Sequence, residues 1–587
     1  MNSLGDYILD RTESLGEEVI LDYFVTRNDD KILRLLDSEQ YLLEGSRGVG
    51  KTMLMKTAML TAMKKFNTDS VLPVWVSFEE SIRLERIESI SKAIDPFMQW
   101  TMGKILSETI KKIISLKPDG AVLLSERLAN IYGKPQQKNY DTLIEILDKY
   151  VLALEVGDID SDQDMMNCAP SKQLRDILDN PSAFKAFLLE LVFEFNLSRI
   201  VFFFDEAAHV FSHVQQEKFF TFFKTLRSPK IACKAAVYPG ITNYGKHFER
   251  GQDAKELKLE WSAKDSADIE YIKEIIKKRL LAYENSYWAK INFDSDALSI
   301  IAICSNGNPR FAFHIIDEID TSGGFKNNVT KASVISAVRV VFENKWREFS
   351  SLKKRLLKYR EHIEFAELII KNHILPNLKL WNERRRKDNK KISVGFLIST
   401  TAFDRLIHVF SVLDYSNIIK IDYARKSSGH GVYSYYISIN PSAIFSDLIV
   451  KDVKEFDSVS VAIEHNQSYS ESTDFISGLS NQLEVSEEYK CSNSICDFST
   501  TEDYFKYCPK CASEIKKDEV ESLYKILRSH DLENLPISQK LSLRLKTKFS
   551  NVGDIYDANI EIIKEIDYIK DIRANKIKAS AIEYMAG

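Results

Sequence analysis

The chain has 587 residues, of which 44% are hydrophobic and 28% charged, and its net charge is −5 at pH 7. This length corresponds to roughly three to five domains, and the composition is that of a folded globular protein. The acidic balance excludes a uniformly basic nucleic-acid binder, so any such contact must come from local patches. No apolar run approaches about 18 residues and no secretory signal is visible, which predicts a cytoplasmic protein without a membrane partner.

The first functional pattern in chain order is the octet GSRGVGKT at residues 45–52, which fits G-x-x-x-x-G-K-[ST]. Its glycines allow successive backbone N–H groups to face one anion. Lys51 is expected to reach the β- and γ-phosphates of a nucleotide, and the Thr52 hydroxyl to ligate Mg²⁺. A short apolar strand precedes the octet and a helix follows it, with its positive end towards the phosphates. The predicted nucleotide contacts are Gly45, Ser46, Arg47, Gly48, Val49, Gly50, Lys51, Thr52 and Met53.

A second pattern, at residues 200–206, is a run of five apolar residues that ends in two carboxylates. Such a run predicts a parallel strand buried on both faces, and open α/β sheets place ligands at the carboxyl ends of their strands. We expect Asp205 to hold Mg²⁺ and Glu206 to orient or deprotonate the attacking water. The alternative is that the two residues cap the next helix.

These patterns resemble the Walker A and Walker B motifs of AAA+ and STAND ATPases, and most of all those of origin-recognition-complex-like ATPases. The resemblance covers residues 15–345. It implies an α/β P-loop NTPase with an AAA+-like parallel sheet and a helical lid, which uses ATP and Mg²⁺. The implied core spans residues 1–262 and the lid 263–350. A helical insertion at about 82–198 is larger than a minimal core needs and serves either a partner or no function of its own.

The resemblance also assigns residues around the nucleotide. Residues 234–238 read as a strand, and Thr242 or Asn243 after it stands where the family carries sensor 1. A further strand is expected at 256–261. Arg250 lies before that strand, at the place of an arginine finger for a neighbouring subunit, with Arg227 as the competing candidate.

Two more arginines match family positions on the lid and at the amino-terminal side. The tetrad at 307–310 looks like sensor 2, so that Arg310 would reach the γ-phosphate from the lid. Arg27 stands where origin-recognition-type ATPases place a residue beside the adenine.

Residues 351–450 resemble a winged helix, because helical stretches lead into two strand-like runs at 418–423 and 432–439. The connecting loop is basic, and Arg384, Arg385, Arg386, Lys387, Lys390 and Lys391 form a second basic patch. This pattern favours contact with DNA phosphates, although most charge runs are simply solvated. The polar residues 451–486 read as a linker.

Four cysteines in two close pairs, Cys491, Cys496, Cys508 and Cys511, predict a structural zinc ribbon at 487–516. Disulfides are the weaker interpretation in a cytoplasmic chain. The other cysteines, Cys168, Cys233 and Cys304, are scattered and resemble ordinary core residues. The tail, residues 517–587, is predicted to be a small α-helical domain that resembles paired helix-hairpin-helix units without their hairpin glycines. DNA binding and protein docking by this tail are equally expected.

Three functions follow from these patterns. The first is an ATP-hydrolysing switch acting on DNA or a DNA-associated complex, with self-assembly or a separate effector as its partner. By analogy with the family, its biology is bacterial antiphage defence or a mobile element. The second is a nucleotide-sensing scaffold with little hydrolysis that recruits an effector. The third is a replication initiator that binds duplex DNA.

Overall fold

The structure is a computed structural model of the chain. It describes residues 4–8, 12, 15–27, 30–78, 95–131, 140–156, 171–207, 213–355, 359–427, 433–450, 453–470, 489–491, 496, 499–500, 507–511, 513, 515–517, 528–535, 537 and 539–586. No helix in these ranges combines the length and the apolarity that crossing a bilayer requires.

The centre of the fold is a parallel sheet, in which the described strands run β2-β3-β4-β1-β5. The strands are β1 (Tyr41–Glu44), β2 (Val71–Ser77), β3 (Arg199–Asp205), β4 (Ile231–Val237) and β5 (Lys255–Lys258). Strand β4 is buried along its whole length and β3 nearly so, as expected for central strands covered on both faces. The predicted α/β core with a parallel sheet is therefore confirmed.

Helices pack on the sheet and extend from it. Those of the amino-terminal part and the sheet faces are Leu4–Ile8, Glu17–Tyr23, Lys31–Leu36, Lys51–Lys64, Phe66–Asp69 and His213–Thr225. Between β2 and β3 the described helices are Pro96–Leu116, Ala121–Ile131, Tyr140–Val156, Lys172–Asp179 and Pro181–Glu194. The insertion is helical where it is described, and its buried residues join the core of the sheet.

A bundle of helices follows β5 in the range predicted for the lid. Its members are Ser266–Tyr283, Asn285–Phe293, Ser295–Cys304, Pro309–Thr321 and Lys331–Arg355. Asn308 caps the fourth of these, since its side chain accepts a hydrogen bond from the Phe311 N–H at 3.1 Å. This cap fixes where the helix that carries Arg310 begins.

Residues 359–470 form a second α/β region, which we call the hairpin region. Its strands are β6 (Gly395–Ser399), β7 (Ile419–Ser427), β8 (Tyr433–Ile439) and β9 (Ser468–Ser470), in the order β7-β8-β6-β9. Its helices are Arg360–Ile369, Leu375–Lys387, Thr400–Arg405, Ile407–Tyr415, Pro441–Ser446 and Phe456–Glu464, with a π-helical turn at Ile370–Ile374. The two predicted strands thus form an antiparallel hairpin. The winged helix itself stays a prediction.

The predicted linker at 451–486 is wrong over its first half. Phe456–Glu464 is a helix, and β9 pairs in parallel with β6. Phe456, Val459 and Ala462 are buried, which supplies the apolar contact that a solvated linker lacks. The polar composition of the segment hid this short amphipathic stretch. Residues 471–488 lie outside the described residues.

The carboxyl-terminal part contains short strands around the cysteines, β10 (Tyr489–Cys491), β11 (Ser499–Thr500) and β12 (Ile515–Lys517), in the order β11-β10-β12. Beyond them the described helices are Gln539–Leu545, Val552–Asp557, Ile560–Lys564 and Asp571–Ala586. These helices bury a hydrophobic core of their own, distinct from the cluster that runs through the sheet, the lid and the hairpin region. In the described residues the tail is helical, and its likeness to helix-hairpin-helix units stays a prediction.

Candidate active site

Lys51 begins the helix after the P-loop and is buried. Its ammonium donates hydrogen bonds to the backbone carbonyls of Gly45 at 2.6 Å and Ser46 at 3.1 Å. Burial lowers the pKa of Lys51 to about 7, while the charges of Glu206 and Asp205 oppose that shift. A phosphate at this loop would supply the negative charge that keeps the ammonium protonated.

Thr52 and Asp205 meet across the site. The Thr52 hydroxyl donates to Asp205 Oδ2 at 2.9 Å, although the two residues are 153 positions apart in the chain. Thr52 lies after β1 and Asp205 ends β3, so the parallel sheet brings both to its carboxyl edge. A hydroxyl and a carboxylate are ligands that Mg²⁺ prefers, so this donor set fits the predicted ion.

Glu206 has a left-handed backbone, with φ at +62°. Such a conformation costs a non-glycine residue about 1 kcal/mol or more and clusters at functional sites. Its N–H donates to Asp205 Oδ1 at 3.1 Å, which ties the two acidic residues to one another. Glu206 lies close enough to Lys51 for its charge to raise the pKa of the ammonium against the effect of burial.

The predicted sensor 1 residues take part in a turn. The Thr242 hydroxyl accepts from the Tyr238 N–H and donates to the Tyr238 carbonyl, both at 3.0 Å. The Asn243 N–H donates to Gln216 Oε1, and the Asn243 side chain accepts from the Gly245 N–H at 3.1 Å. The P-loop lysine meets Tyr238, whose ring centroid lies 3.8 Å from Lys51 Nζ. The sensor 1 role of Thr242 or Asn243 stays a prediction.

The tetrad at 307–310 lies against the P-loop. Asn308 Nδ2 donates to the Arg47 carbonyl at 2.7 Å. A Cβ on Gly48, whose φ is +87°, would lie 2.6 Å from Asn308 Oδ1 and 3.1 Å from Arg310 Cβ, so only glycine fits here. The lid therefore reaches the loop where Arg310 was predicted, and its role at the γ-phosphate stays a prediction.

The guanidinium of Arg27 lies over two aromatic rings, those of Trp261 and Tyr271. Its guanidinium carbon is 4.9 Å from the Trp261 ring centroid and 5.3 Å from that of Tyr271, and it pairs with Asp268. Trp261 Nε1 in turn donates to the Val49 carbonyl at 3.1 Å. Arg27 thus borders the P-loop through Trp261, which is consistent with the base side of a nucleotide.

The two arginine-finger candidates have different surroundings. Arg250 forms hydrogen bonds with both carboxylate oxygens of Glu44, at 3.1 and 3.2 Å, and also binds Glu256. Arg227 donates to the Gln252 carbonyl and lies 3.9 Å from Glu39, at the amino end of β1. Arg250 therefore lies at the P-loop edge of the sheet and Arg227 at the opposite edge.

Three of the four predicted zinc ligands come together. The sulfurs of Cys496, Cys508 and Cys511 all lie within 4.8 Å of one another. Zn–S bonds of about 2.3 Å place tetrahedral sulfurs about 3.8 Å apart, so the cluster fits a thiolate-bound zinc ion. Cys491 ends β10, which borders the cluster in sequence, but its side chain lies outside the described residues, as does all of Cys168. Cys233 and Cys304 are buried in the main core, as predicted.

Among known proteins, the chain is similar only in its three-dimensional structure to the solved structures described below. No protein-family profile and no curated protein matches the chain. The chain is similar to Cdc6p from Pyrobaculum aerophilum at 13% identity, covering 77% of this chain and 98% of that one, with a TM-score of 0.27. It is similar to the Aeropyrum pernix ORC2 protein, solved as ADPNP-ADP complexes, at 11% identity, with coverages of 77% and 98% and a TM-score of 0.30. It is also similar to the Aeropyrum pernix ORC1 protein in complex with DNA at 12% identity, covering 78% of this chain and 100% of that one, with a TM-score of 0.28.

Sequence reasoning missed Tyr238 and Trp261 as neighbours of the P-loop. Both belong to predicted strands, at 234–238 and 256–261. Each stands at the carboxyl end of its predicted strand, the edge at which open α/β sheets bind ligands, and that position was the available signal.

Proposed function

We propose that this chain binds and hydrolyses ATP as an AAA+/STAND-type switch that acts on DNA or on a DNA-associated complex. The observation that carries the proposal is the 2.9 Å contact between the Thr52 hydroxyl and the Asp205 carboxylate. Two motifs that are distant in sequence supply adjacent Mg²⁺ ligands next to a buried lysine. That arrangement is typical of P-loop phosphoryl transfer.

Each residue would have a distinct task. The P-loop amides and Lys51 would bind the β- and γ-phosphates, and Thr52 and Asp205 would hold Mg²⁺. The ion would neutralise charge that develops on the phosphate oxygens. Glu206 would accept the proton of the attacking water or orient that water. Asn308 and Arg310 would join the lid to the loop, so that lid position reports whether phosphate is bound.

One observation favours the scaffold with little hydrolysis. The Thr242 hydroxyl is engaged with the backbone of its own turn, and the aromatic Tyr238 stands beside Lys51. With its hydroxyl used in this way, Thr242 would be a weak contact for the γ-phosphate, which leaves Asn243 and Arg310 for that task. This geometry supports slow turnover with intact nucleotide binding.

The DNA part of the proposal rests on charge. Helix Leu375–Lys387 ends in basic residues, of which Arg384 and Lys387 are exposed, as are Lys390 and Lys391 just after it. Arg386 differs, since it pairs with Glu455 at 2.6 Å and donates to the Ile449 carbonyl. The exposed members are suited to phosphate contact, which positions a protein on nucleic acid without reading its sequence. The cysteine cluster and the tail would tether the switch to its partner, in antiphage defence or a mobile element.

Steady-state ATP hydrolysis, with and without double- and single-stranded DNA, tests the proposal. Lys51→Ala is expected to lose nucleotide binding, measured with a fluorescent ADP analogue. Glu206→Gln is expected to keep binding while turnover falls by about 100-fold or more, the scale of a lost general base. Glu126→Gln, the same change at an exposed carboxylate of helix Ala121–Ile131, serves as the matched control and is expected to leave turnover unchanged.

Turnover that survives in Glu206→Gln would refute the role of that residue. Nucleotide binding without measurable turnover in the wild type would establish the scaffold instead. Stimulation by DNA would assign the coupling to nucleic acid, and its absence would direct the search to a protein partner.

A further inference from the structure

The hairpin region is seated on the turn that follows β4. Gly240, in this turn, has φ at +67°, and a Cβ there would overlap Oγ and Cβ of Ser411 in helix Ile407–Tyr415. The Cα of Ser411 lies 3.5 Å from the same point, so the two backbones are nearly in contact. Glycine at 240 is therefore needed for this docking as well as for the turn.

The same helix reaches the P-loop lysine through two tyrosines. The ring of Tyr415, at the end of the helix, meets the ring of Tyr238 edge to face, with centroids 5.2 Å apart and an interplanar angle of 78°. Tyr238 in turn presents its ring to Lys51 Nζ at 3.8 Å. Both tyrosines are buried, so neither ring has space to turn away while the helix is docked.

The lid is tied to the same place. Asn417, two residues after the helix, donates to the Ser305 carbonyl at 3.1 Å and accepts from Asn306 Nδ2 at 3.0 Å. Both asparagines are buried, and Asn308 two residues further on binds the P-loop. One short stretch of the hairpin region thus contacts the β4 turn and the lid segment, each of which borders the nucleotide loop.

We propose that Tyr238 is a positioning residue for Lys51 and that the docked hairpin region, through Ser411 and Tyr415, holds Tyr238 in place. The Tyr238 ring contacts the Lys51 ammonium on one side, and the carbonyls of Gly45 and Ser46 accept its hydrogen bonds on the other. A cation over an aromatic face in a desolvated site is held more firmly than one in water. If the hairpin region undocks, Tyr238 can move. Lys51 then loses the aromatic contact that keeps its ammonium directed towards the phosphates.

This inference rests on the proposed function and deepens it, because it names what controls the P-loop lysine. A lysine that binds the γ-phosphate more strongly as charge develops contributes to kcat more than to KM. Small displacements of such a group reduce turnover by about 10-fold to 100-fold. Loss of docking is therefore expected to lower kcat by that factor and to weaken ADP binding less.

The main test separates docking from backbone strain. In Gly240→Ala the new Cβ collides with Ser411, whereas Gly323→Ala places a Cβ at a similar φ of +81° with Lys326 Cδ 3.9 Å away. Gly240→Ala is expected to lower kcat by about 10-fold or more, and Gly323→Ala to leave it unchanged. The double variant Gly240→Ala/Ser411→Gly removes the colliding atoms and is expected to recover turnover, with Ser411→Gly alone as its control.

A second set of variants tests the ring itself. Tyr238→Leu removes the aromatic face, and Tyr238→Phe keeps it. We expect Tyr238→Leu and Tyr415→Leu to lower kcat with a smaller change in KM, and the kcat of Tyr238→Phe to fall far less. A merely structural role for Tyr238 would instead reduce stability and affect kcat and KM together.

Failure of this inference can be told from failure of the proposed function. If wild-type turnover is sensitive to Glu206→Gln but Gly240→Ala behaves like Gly323→Ala, the hairpin region does not control Lys51 and the inference is overturned. If the wild type binds nucleotide without turnover, affinity for a fluorescent ADP analogue in the same variants decides the question. Weaker binding in Gly240→Ala, recovered by Ser411→Gly, supports the inference, and equal binding in all variants overturns it.

Discussion

The hairpin region and the tail both follow the lid in the chain, yet they relate to the nucleotide site in opposite ways. The hairpin region shares one continuous hydrophobic cluster with the sheet and the lid. The tail from Leu532 to Tyr584 buries a separate cluster, composed of its own helices. A shared core makes folding and motion cooperative, while a separate core allows one part to unfold without the other. This difference predicts that changes in the core of the hairpin region reach the nucleotide site and that changes in the core of the tail do not.

The largest effect expected from this comparison is on stability. Phe410 is fully buried in the hairpin region and stacks on Phe403 with centroids 5.3 Å apart, and Ile577 is fully buried in the tail. Phe410→Ala is expected to destabilise by about 3–5 kcal/mol and Ile577→Ala by about 2–5 kcal/mol. Thermal unfolding with and without ADP identifies the transition of the nucleotide-binding core. Phe410→Ala should lower that transition and Ile577→Ala should not, and a shift in both would show that the tail is not independent.

The next effect concerns the cysteine cluster, which we expect to bind zinc without contributing to the stability of the nucleotide-binding core. Cys508→Ser is expected to reduce bound zinc from about one ion per chain to near zero, because the remaining thiolates hold the ion poorly. The ADP-dependent transition should remain, since the cluster contributes nothing to the main core. Cys233 is buried in the main core and is not a member of the cysteine cluster, and burial raises the pKa of its thiol to about 12. Cys233→Ala is thus the matched control, and zinc content by metal analysis is the measurement.

A pH dependence is expected where the hairpin region meets the core. Asp414 lines a cavity of about 320 Å³ shared by the two, with Glu44, Glu260 and Lys420. Burial raises the pKa of Asp414 to about 7, while Lys420 opposes that rise and the carboxylates of Glu260 and Glu44 add to it. The folded state then holds its proton more tightly than the unfolded one, whose ordinary pKa is about 4.

The sign of this dependence follows from linkage. Between about pH 4 and 7 Asp414 is protonated in the folded chain and ionised in the unfolded chain. Raising the pH through this range therefore favours the unfolded chain. The contribution to stability is complete below about pH 4 and is lost as the pH rises through 7. Asp414→Asn is expected to remove that loss, worth about 1–2 kcal/mol after solvent screening. Denaturant unfolding at about pH 5 and pH 8, on either side of the shifted pKa, measures it. An identical pH dependence in wild type and Asp414→Asn would contradict the assignment.

The smallest expected effect concerns the basic surface. Replacement of the exposed basic residues by alanine should weaken DNA binding and make it less salt-dependent. The slope of log affinity against log salt concentration should fall in magnitude by about 0.9 for each phosphate that is no longer neutralised. The residues to change are Arg384, Lys387, Lys390 and Lys391. The control removes the same number of exposed charges elsewhere, by alanine at Lys64, Lys65, Lys172 and Lys230. Equal weakening in both variants would mean that general charge, and not this patch, attracts DNA.

Local patterns in the sequence were sufficient for much of the site. The glycine spacing at 45–52, the apolar run before Asp205 and the paired cysteines each depend on residues that are adjacent in the chain. The structure confirms the parallel sheet, and it places Thr52 beside Asp205 and three cysteines around one point. The order of apolar and polar residues determines these features, because strand burial and ligand spacing act over a few residues.

Other features depended on how distant segments pack. The family resemblance placed sensor 1 at Thr242 or Asn243, which stays a prediction. Only the packing showed that the turn after β4 engages the Thr242 hydroxyl and leaves Tyr238 facing Lys51. Strand β9 joins the sheet from a segment whose composition is that of a linker.

The sequence alone thus predicted the P-loop, the pair Thr52 and Asp205 and the group of cysteines, while the tertiary structure decided that the hairpin region abuts Gly240 and Tyr238. That docking depends on the match between surfaces from segments that are far apart in the chain, and short-range periodicity carries no information about such a match.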